Sequence, residues 1–133
     1  ATLCLIDKET KTIEIAAANH ISFYIYDDII QSIEGDMASV GGSITSEAGS
    51  NYTNHKFVYK PGARLYMFSD GFQDQFGGTE NKKFLGTNFK KLLFDSRNLS
   101  MNDQCALLDK TFEDWKGNRK QIDDVLVLGI QLD

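Results

Sequence analysis

The sequence predicts an α+β domain: a mostly antiparallel sheet with helices packed on it. Three observations carry that expectation. Short apolar, β-prone runs fill the first half of the chain, at residues 2–6, 12–15, 22–26, 29–33 and 56–59. A stripe of Met101, Cys105, Leu108, Phe112 and Trp115 then recurs at steps of four and three, the period of a helix. The chain closes on residues 125–130 (VLVLGI), a continuous apolar run of strand length.

Taken in order, residues 2–6 and 12–15 flank a polar turn, Asp7-Lys8-Glu9-Thr10, and read as an antiparallel hairpin. Ala16-Ala17-Ala18 permits close packing, and Asn19-His20 precedes the aromatic strand at 22–26. Asp27-Asp28 reads as a surface turn before a short strand at 29–33. Residues 38–54 are small and polar and are expected to form a mobile loop. Their glycine pair fits neither a dinucleotide fingerprint nor a phosphate loop. Pro61-Gly62 punctuates the start of the central strand, Leu65-Tyr66-Met67-Phe68, whose unbroken apolar character suits burial on both faces. Beyond Asp70-Gly71 the pattern turns helical. Thr87 is the expected cap of a helix that buries Phe89, Leu92 and Leu93. Ser100, with Asp103 three residues later, marks the start of the last helix, and Gly117 sits where it should stop.

Composition bounds the function. The chain has 133 residues, one domain's worth, with 41% hydrophobic and 25% charged residues, as in an ordinary globular protein. A net charge of −5 argues against a nucleic-acid partner, which wants a basic face. No apolar run approaches the roughly 20 residues that span a bilayer. No secretory leader pattern is present, and a cytoplasmic chain without membrane contact is expected. Cys4 and Cys105 lack paired spacing and read as buried free thiols. The chain starts inside a strand pattern without an initiator Met, and we expect it to be a piece of a longer protein.

Chemistry concentrates at two strand ends. Asp70 follows the central strand and precedes Gly71, which lets the backbone turn sharply. Asp123 and Asp124 precede the closing apolar run. Carboxylates gathered at one end of a sheet repel unless a cation sits between them, and Mg²⁺ or Mn²⁺ prefers such hard oxygen ligands. The plainer readings stay open: Asp-Gly is also a simple turn, and Asp-Asp is commonly solvated. His20 and His55 have no second ligand at zinc spacing. A hydrogen-bonded structural role suits His20 better than a catalytic one. Ser69 lies outside any nucleophile-elbow frame. The stretch Gln73-Asp74-Gln75-Phe76-Gly77-Gly78 reads either as a substrate-facing loop or as a solvated turn.

Residues 65–72 (LYMFSDGF) and 121–127 (QIDDVLV) resemble the SpoIIE/RsbU-type branch of PP2C-like (PPM) serine/threonine phosphatases, in their C-terminal part. The resemblance runs along essentially the whole chain. Asp74-Gln75-Phe76-Gly77-Gly78, with Lys82-Lys83-Phe84, is similar to sensor-linked phosphatases of Bacteroidetes-type bacteria. It implies an αββα sandwich, here truncated at its N-terminal side. It further implies a binuclear Mn²⁺/Mg²⁺ centre, at which a metal-bound hydroxide attacks phosphoserine or phosphothreonine. By motif position Asp70 and Asp123 are implied metal ligands, with Asp124 as a third candidate and Gly71 beside them. Ala17-Ala18-Asn19-His20 matches the family's Ala-Gly-His-type segment, with Asn19 where Gly is usual. Ala63 replaces part of a frequent Gly-Asp, at an expected surface turn.

The family's upstream acidic motif, which bridges the two metals, lies before residue 1. The resemblance therefore implies a fragment that binds Mn²⁺ weakly, turns over poorly alone, and self-associates through open strand edges. It implies a phosphorylated regulator as partner, of the anti-sigma-factor-antagonist type, and sensor domains upstream in the same polypeptide. The competing expectation is a phosphatase-like module that binds a partner without turnover.

Overall fold

The computed structural model describes residues 1–38, 40 and 52–133. Most of the loop expected at 38–54 lies outside the described residues. Contacts divide the chain into two compact units: Ala1–Met67 together with Gln131–Asp133, and Phe68–Ile130.

The first unit is built on strands. β1 (Thr2–Asp7) and β2 (Thr12–Ala17) form the expected hairpin, and β5 (His55–Val58) pairs with the other side of β2, both antiparallel. Asp7 closes the hairpin turn, its carboxylate accepting the amide N–H groups of Glu9 and Thr10. On β2 the alternation is plain. Ile13, Ile15 and Ala17 are buried, while Thr12, Glu14 and Ala16 face outward. A second sheet joins β3 (Ile21–Tyr26), β4 (Ile29–Glu34) and β6 (Arg64–Phe68), again antiparallel, with Asp27 at φ 50° in the exposed β3–β4 turn. The two sheets meet where Tyr24 and Phe57 pack edge to face at 5.2 Å.

The second unit carries the helices. α1 (Gly71–Asp74) follows the central strand directly. A small hairpin of β7 (Phe76–Gly77) and β8 (Lys82–Lys83) leads to α2 (Gly86–Asp95) and α3 (Met101–Lys116). Its core is aromatic: Phe72 packs against Phe84, Phe89 and Phe112 at centroid distances of 5.1, 4.8 and 5.1 Å, and Phe68 reaches Phe89 at 4.9 Å. β9 (Val127–Gln131) is the last strand of the chain. Leu132 N–H donates to Ala63 O in the first unit, and Ser69 N–H to Leu126 O in the second.

The α+β class, with antiparallel sheets and helices, is as the sequence predicts, and so are the buried β6 and the ends of α3. Ser100 caps α3 by accepting from Asp103 N–H while its hydroxyl donates to the Asp103 carboxylate. Gly117 ends that helix at φ 57°.

Five local expectations are corrected. Cys105 is exposed, because the buried face of α3 runs through Gln104, Leu108 and Phe112 rather than through the cysteine, and Cys4, on the edge strand β1, is half-buried. Thr87 does not cap α2, which begins at Gly86 after Leu85 at φ 76° with no side-chain cap. The closing strand is half-exposed rather than buried on both faces: Leu126 and Leu128 point outward, and Asp123 and Asp124 stand in irregular backbone ahead of β9. Ala63 is fully buried and paired to Leu132, at the inner end of the turn that its N–H closes on Lys60 O, rather than exposed with it. His20 is exposed, and its part in the structure is its carbonyl, which accepts Gly35 N–H.

Candidate metal centre

Asp70 stands two residues past the end of the central strand, at the N-cap of α1, where its carbonyl accepts Asp74 N–H. Ser69, one residue before it, ties that strand end to the second acidic segment. Its hydroxyl donates to Asp124 O at 2.7 Å and accepts Leu126 N–H at 2.9 Å. Gly71 completes the approach. A Cβ there would penetrate the Asp124 carbonyl and crowd the Val125 side chain, so only glycine lets the two backbones lie this close. Asp123 shapes its own segment, its carboxylate accepting Asp124 N–H at 2.7 Å. The structure thus lays the backbone of Ser69 and Gly71, which flank Asp70, against that of Asp124, the neighbour of Asp123, within one unit. Asn19 and His20 belong to the other unit.

No lysine or arginine forms an ion pair with Asp70, Asp123 or Asp124 among the described residues, and all three are exposed. Elsewhere in the unit the acids are engaged: Asp74 with Lys83 at 3.1 Å, Asp95 with Lys91, and Asp114 with Lys110. Among the described residues no group of three or more His, Cys, Asp or Glu side chains stands ready to hold a metal ion. The donor chemistry fits a hard divalent cation, since carboxylate oxygens are its preferred ligands. The number of donors amounts to part of a shell.

Asn19 shows why that position resists most residues. Its φ of 55° lies in the left-handed region, which glycine takes freely and asparagine tolerates. Its side chain donates to Ala38 O and its backbone N–H to Asp36 O. Asp36 in turn accepts both the N–H and the hydroxyl of Thr53, at 2.6 and 2.9 Å. Those bonds, the backbone N–H foremost, hold its carboxyl below the usual carboxylate range.

Sequence reasoning missed two residues that shape the acidic segment. Ser69 was visible only as a residue outside any nucleophile frame. Gln75 sat in a stretch read as a loop or a solvated turn, yet it is fully buried. The one signal for it was a glutamine followed by Phe76-Gly77-Gly78 directly after the Asp-Gly turn. In the structure Gly77 and Gly78 lie flat against Trp115, whose indole N–H donates to Gln75 O at 2.9 Å.

The fold has close counterparts of known structure. The SiaA-PP2C domain of Pseudomonas aeruginosa superposes with a TM-score of 0.89 at 23% identity, over 99% of this chain and 51% of that one. The phosphatase domain of the cell-fate determinant SpoIIE from Bacillus subtilis follows, with a TM-score of 0.65 at 19% identity, over 100% of this chain and 58% of that one. A longer SpoIIE structure from the same organism, the PP2C domain with a fragment of its regulatory domain, gives 0.73 at 19% identity over 99% and 36%. The fold is therefore that of a PP2C phosphatase domain, of which this chain spans about half in the first two cases. The chain itself belongs to the SpoIIE family, whose profile, described as Stage II sporulation protein E, matches residues 1–133. No curated protein matches the chain. Among the described residues, no helix is long and apolar enough to cross a membrane.

Proposed function

We propose that this chain is the C-terminal part of a metal-dependent protein serine/threonine phosphatase domain, the output element of a bacterial signalling protein. The observation that carries the reading is the Ser69 bridge. It ties the residue before Asp70 to the backbone of Asp124 and Leu126, and no cation of the described residues pairs with Asp70, Asp123 or Asp124. The family membership and the PP2C fold support it. Asp70 and Asp123 would hold Mn²⁺ or Mg²⁺, with Asp124 beside them, and ligands from elsewhere in the domain would complete the shell. When bound, such ions supply a water activated at neutral pH and neutralise charge on a phosphoryl group. The chain's own part is to keep these carboxylates out of ion pairs and to set where their backbone runs. Ser69 and Gly71 set the spacing of the two acidic segments, and α1 begins at Asp70. The substrate on this reading is a phosphorylated regulatory protein of the anti-sigma-factor-antagonist type, met in the cytoplasm under control of upstream sensor domains.

A second reading, a phosphatase-like module that binds without turnover, is favoured by one observation: the described residues hold no complete ligand set. One experiment separates the two. Phosphatase activity of the full-length protein is measured on p-nitrophenyl phosphate with and without Mn²⁺, beside Asp70→Asn. Mn²⁺-dependent turnover that falls at least about a hundredfold in the variant supports the enzyme. A folded full-length protein without turnover under any divalent ion supports the binding module. The chain of residues 1–133 alone should turn over poorly. It should also self-associate, since β1 is an edge strand with Leu3 and Leu5 exposed by 75% and 61%. A monomer by light scattering at high concentration would count against that expectation.

A further inference from the structure

We propose that Gln75 is a positioning residue for the acidic segment, its buried amide setting where Asp123 and Asp124 stand. Residues 117–126 form neither helix nor strand, and 117–124 are all exposed. Such a stretch holds its course only where something pins it. Upstream of the two aspartates, Gln75 Nε2 donates to Lys120 O at 3.0 Å, and Gln75 Oε1 accepts Ile122 N–H at 3.4 Å. Downstream, Ser69 holds Asp124 O and Leu126 N–H. The aspartates lie between the two pins, and both pins come from the stretch that carries Asp70. Its position thus dictates theirs.

Gln75 is suited to this by being immobile. It is 0% exposed, and its Nε2 also donates to Phe76 O at 3.0 Å. Its backbone carbonyl receives the Trp115 indole N–H at 2.9 Å and Phe84 N–H at 3.0 Å. One residue thereby joins α1, the β7–β8 hairpin, α3 and the 120–122 segment. A neutral amide is the right group here. It offers donors to two carbonyls and an acceptor to one N–H, and it adds no charge beside carboxylates that, on the proposed reading, take a cation. The glycines that follow serve the same node, since a Cβ on Gly77 would collide with Trp115 O.

The Mn²⁺ part of the test rests on the proposed phosphatase reading, and the exchange part does not. In the full-length protein, Gln75→Met keeps the length and burial of the side chain but removes its hydrogen bonds. Gln104→Met is the matched control. Gln104 is equally buried at 1% exposure, and its amide serves Leu93 O and Ser96 Oγ, away from residues 117–126. Amide hydrogen exchange over residues 120–126 should speed about tenfold in Gln75→Met and stay at the wild-type rate in Gln104→Met, at similar losses of melting temperature. Mn²⁺ affinity, titrated by electron paramagnetic resonance, should fall about tenfold in the first variant alone. Gln75→Asn, whose neutral amide is one methylene too short to reach both Lys120 O and Ile122 N–H, serves if the methionine variant does not fold and should move both readouts the same way. Unchanged exchange over 120–126, or equal acceleration in both glutamine variants, overturns the proposal. Wild-type protein that binds no Mn²⁺ overturns the phosphatase reading, while exchange still decides the role of Gln75.

Discussion

The two units of the chain use their charges in opposite ways. In the first, carboxylates are structural. Asp7 closes a turn, Glu14 receives Lys56 at 2.7 Å and Asn54 at 2.6 Å, and Asp36 receives both donors of Thr53. In the second, the interior is held by neutral groups: the ring cluster around Phe72, the amides of Gln75 and Gln104, and the hydroxyl of Ser69. Its helix surfaces carry ion pairs, as surfaces do, but Asp70, Asp123 and Asp124 are left out of them. A site meant for a cation is best fixed by groups that do not compete for it. On the metal-dependent reading proposed above, the second unit follows that rule.

The comparison breaks most sharply at Phe72. Truncating it to Ala removes the hub of three ring contacts and should cost about 3–5 kcal/mol in urea unfolding, with the second unit losing protection first. A loss under about 1 kcal/mol would show that the ring cluster is not what holds that unit. Gly71→Ala should come next, at about 1–3 kcal/mol, because the Asp124 carbonyl must give way to the added methyl. Mn²⁺-dependent turnover of the full-length protein should be lost with it. Ser69→Ala removes a hydroxyl that bridges two backbone groups and should cost about 1–2 kcal/mol, with a larger proportional loss of Mn²⁺ affinity than of stability.

The smallest effect is on pH, and it belongs to the first unit. Hydrogen bonds from Thr10, from Lys56 and from Thr53 lower the carboxyl pKa values of Asp7, Glu14 and Asp36 below their ordinary values. Their contribution is therefore present above the ordinary carboxylate range and is lost as pH falls through the lowered values. Exchange protection of the β1–β2 turn and of Thr53 should fade in acid before that of α3. Glu14→Gln should blunt the acid dependence at the β2–β5 pairing, where Lys56 gains its own upward shift from Glu14.

Much of the fold was legible because its signals are local. Alternation along β2, the apolar run of β6, the Ser100 cap and the Gly117 stop are each written within a few residues, and short-range sterics and hydrogen bonds enforce them. The acidic residues were legible by type and by their resemblance to a family pattern. Cys105 was misplaced because a helical stripe can be drawn through more than one set of apolar positions, and the true face was settled by Gln104 reaching Leu93 on α2 and Ser96 at its C-terminal cap. Ala63 was misplaced because nothing near it announces Leu132 as its partner.

Residue order alone thus established an α+β chain, its main strands and last helix, and singled out three aspartates as candidate ligands. What folding added was their arrangement. Ser69 meets Asp124 and Leu126 across sequence separations of 55 and 57, and Gln75 meets Lys120 across 45. Contacts that distant leave no periodicity to read. They exist only once the central strand and the aromatic core have brought the two acidic segments to one place, where a hydroxyl, an amide and a missing Cβ determine how closely they lie.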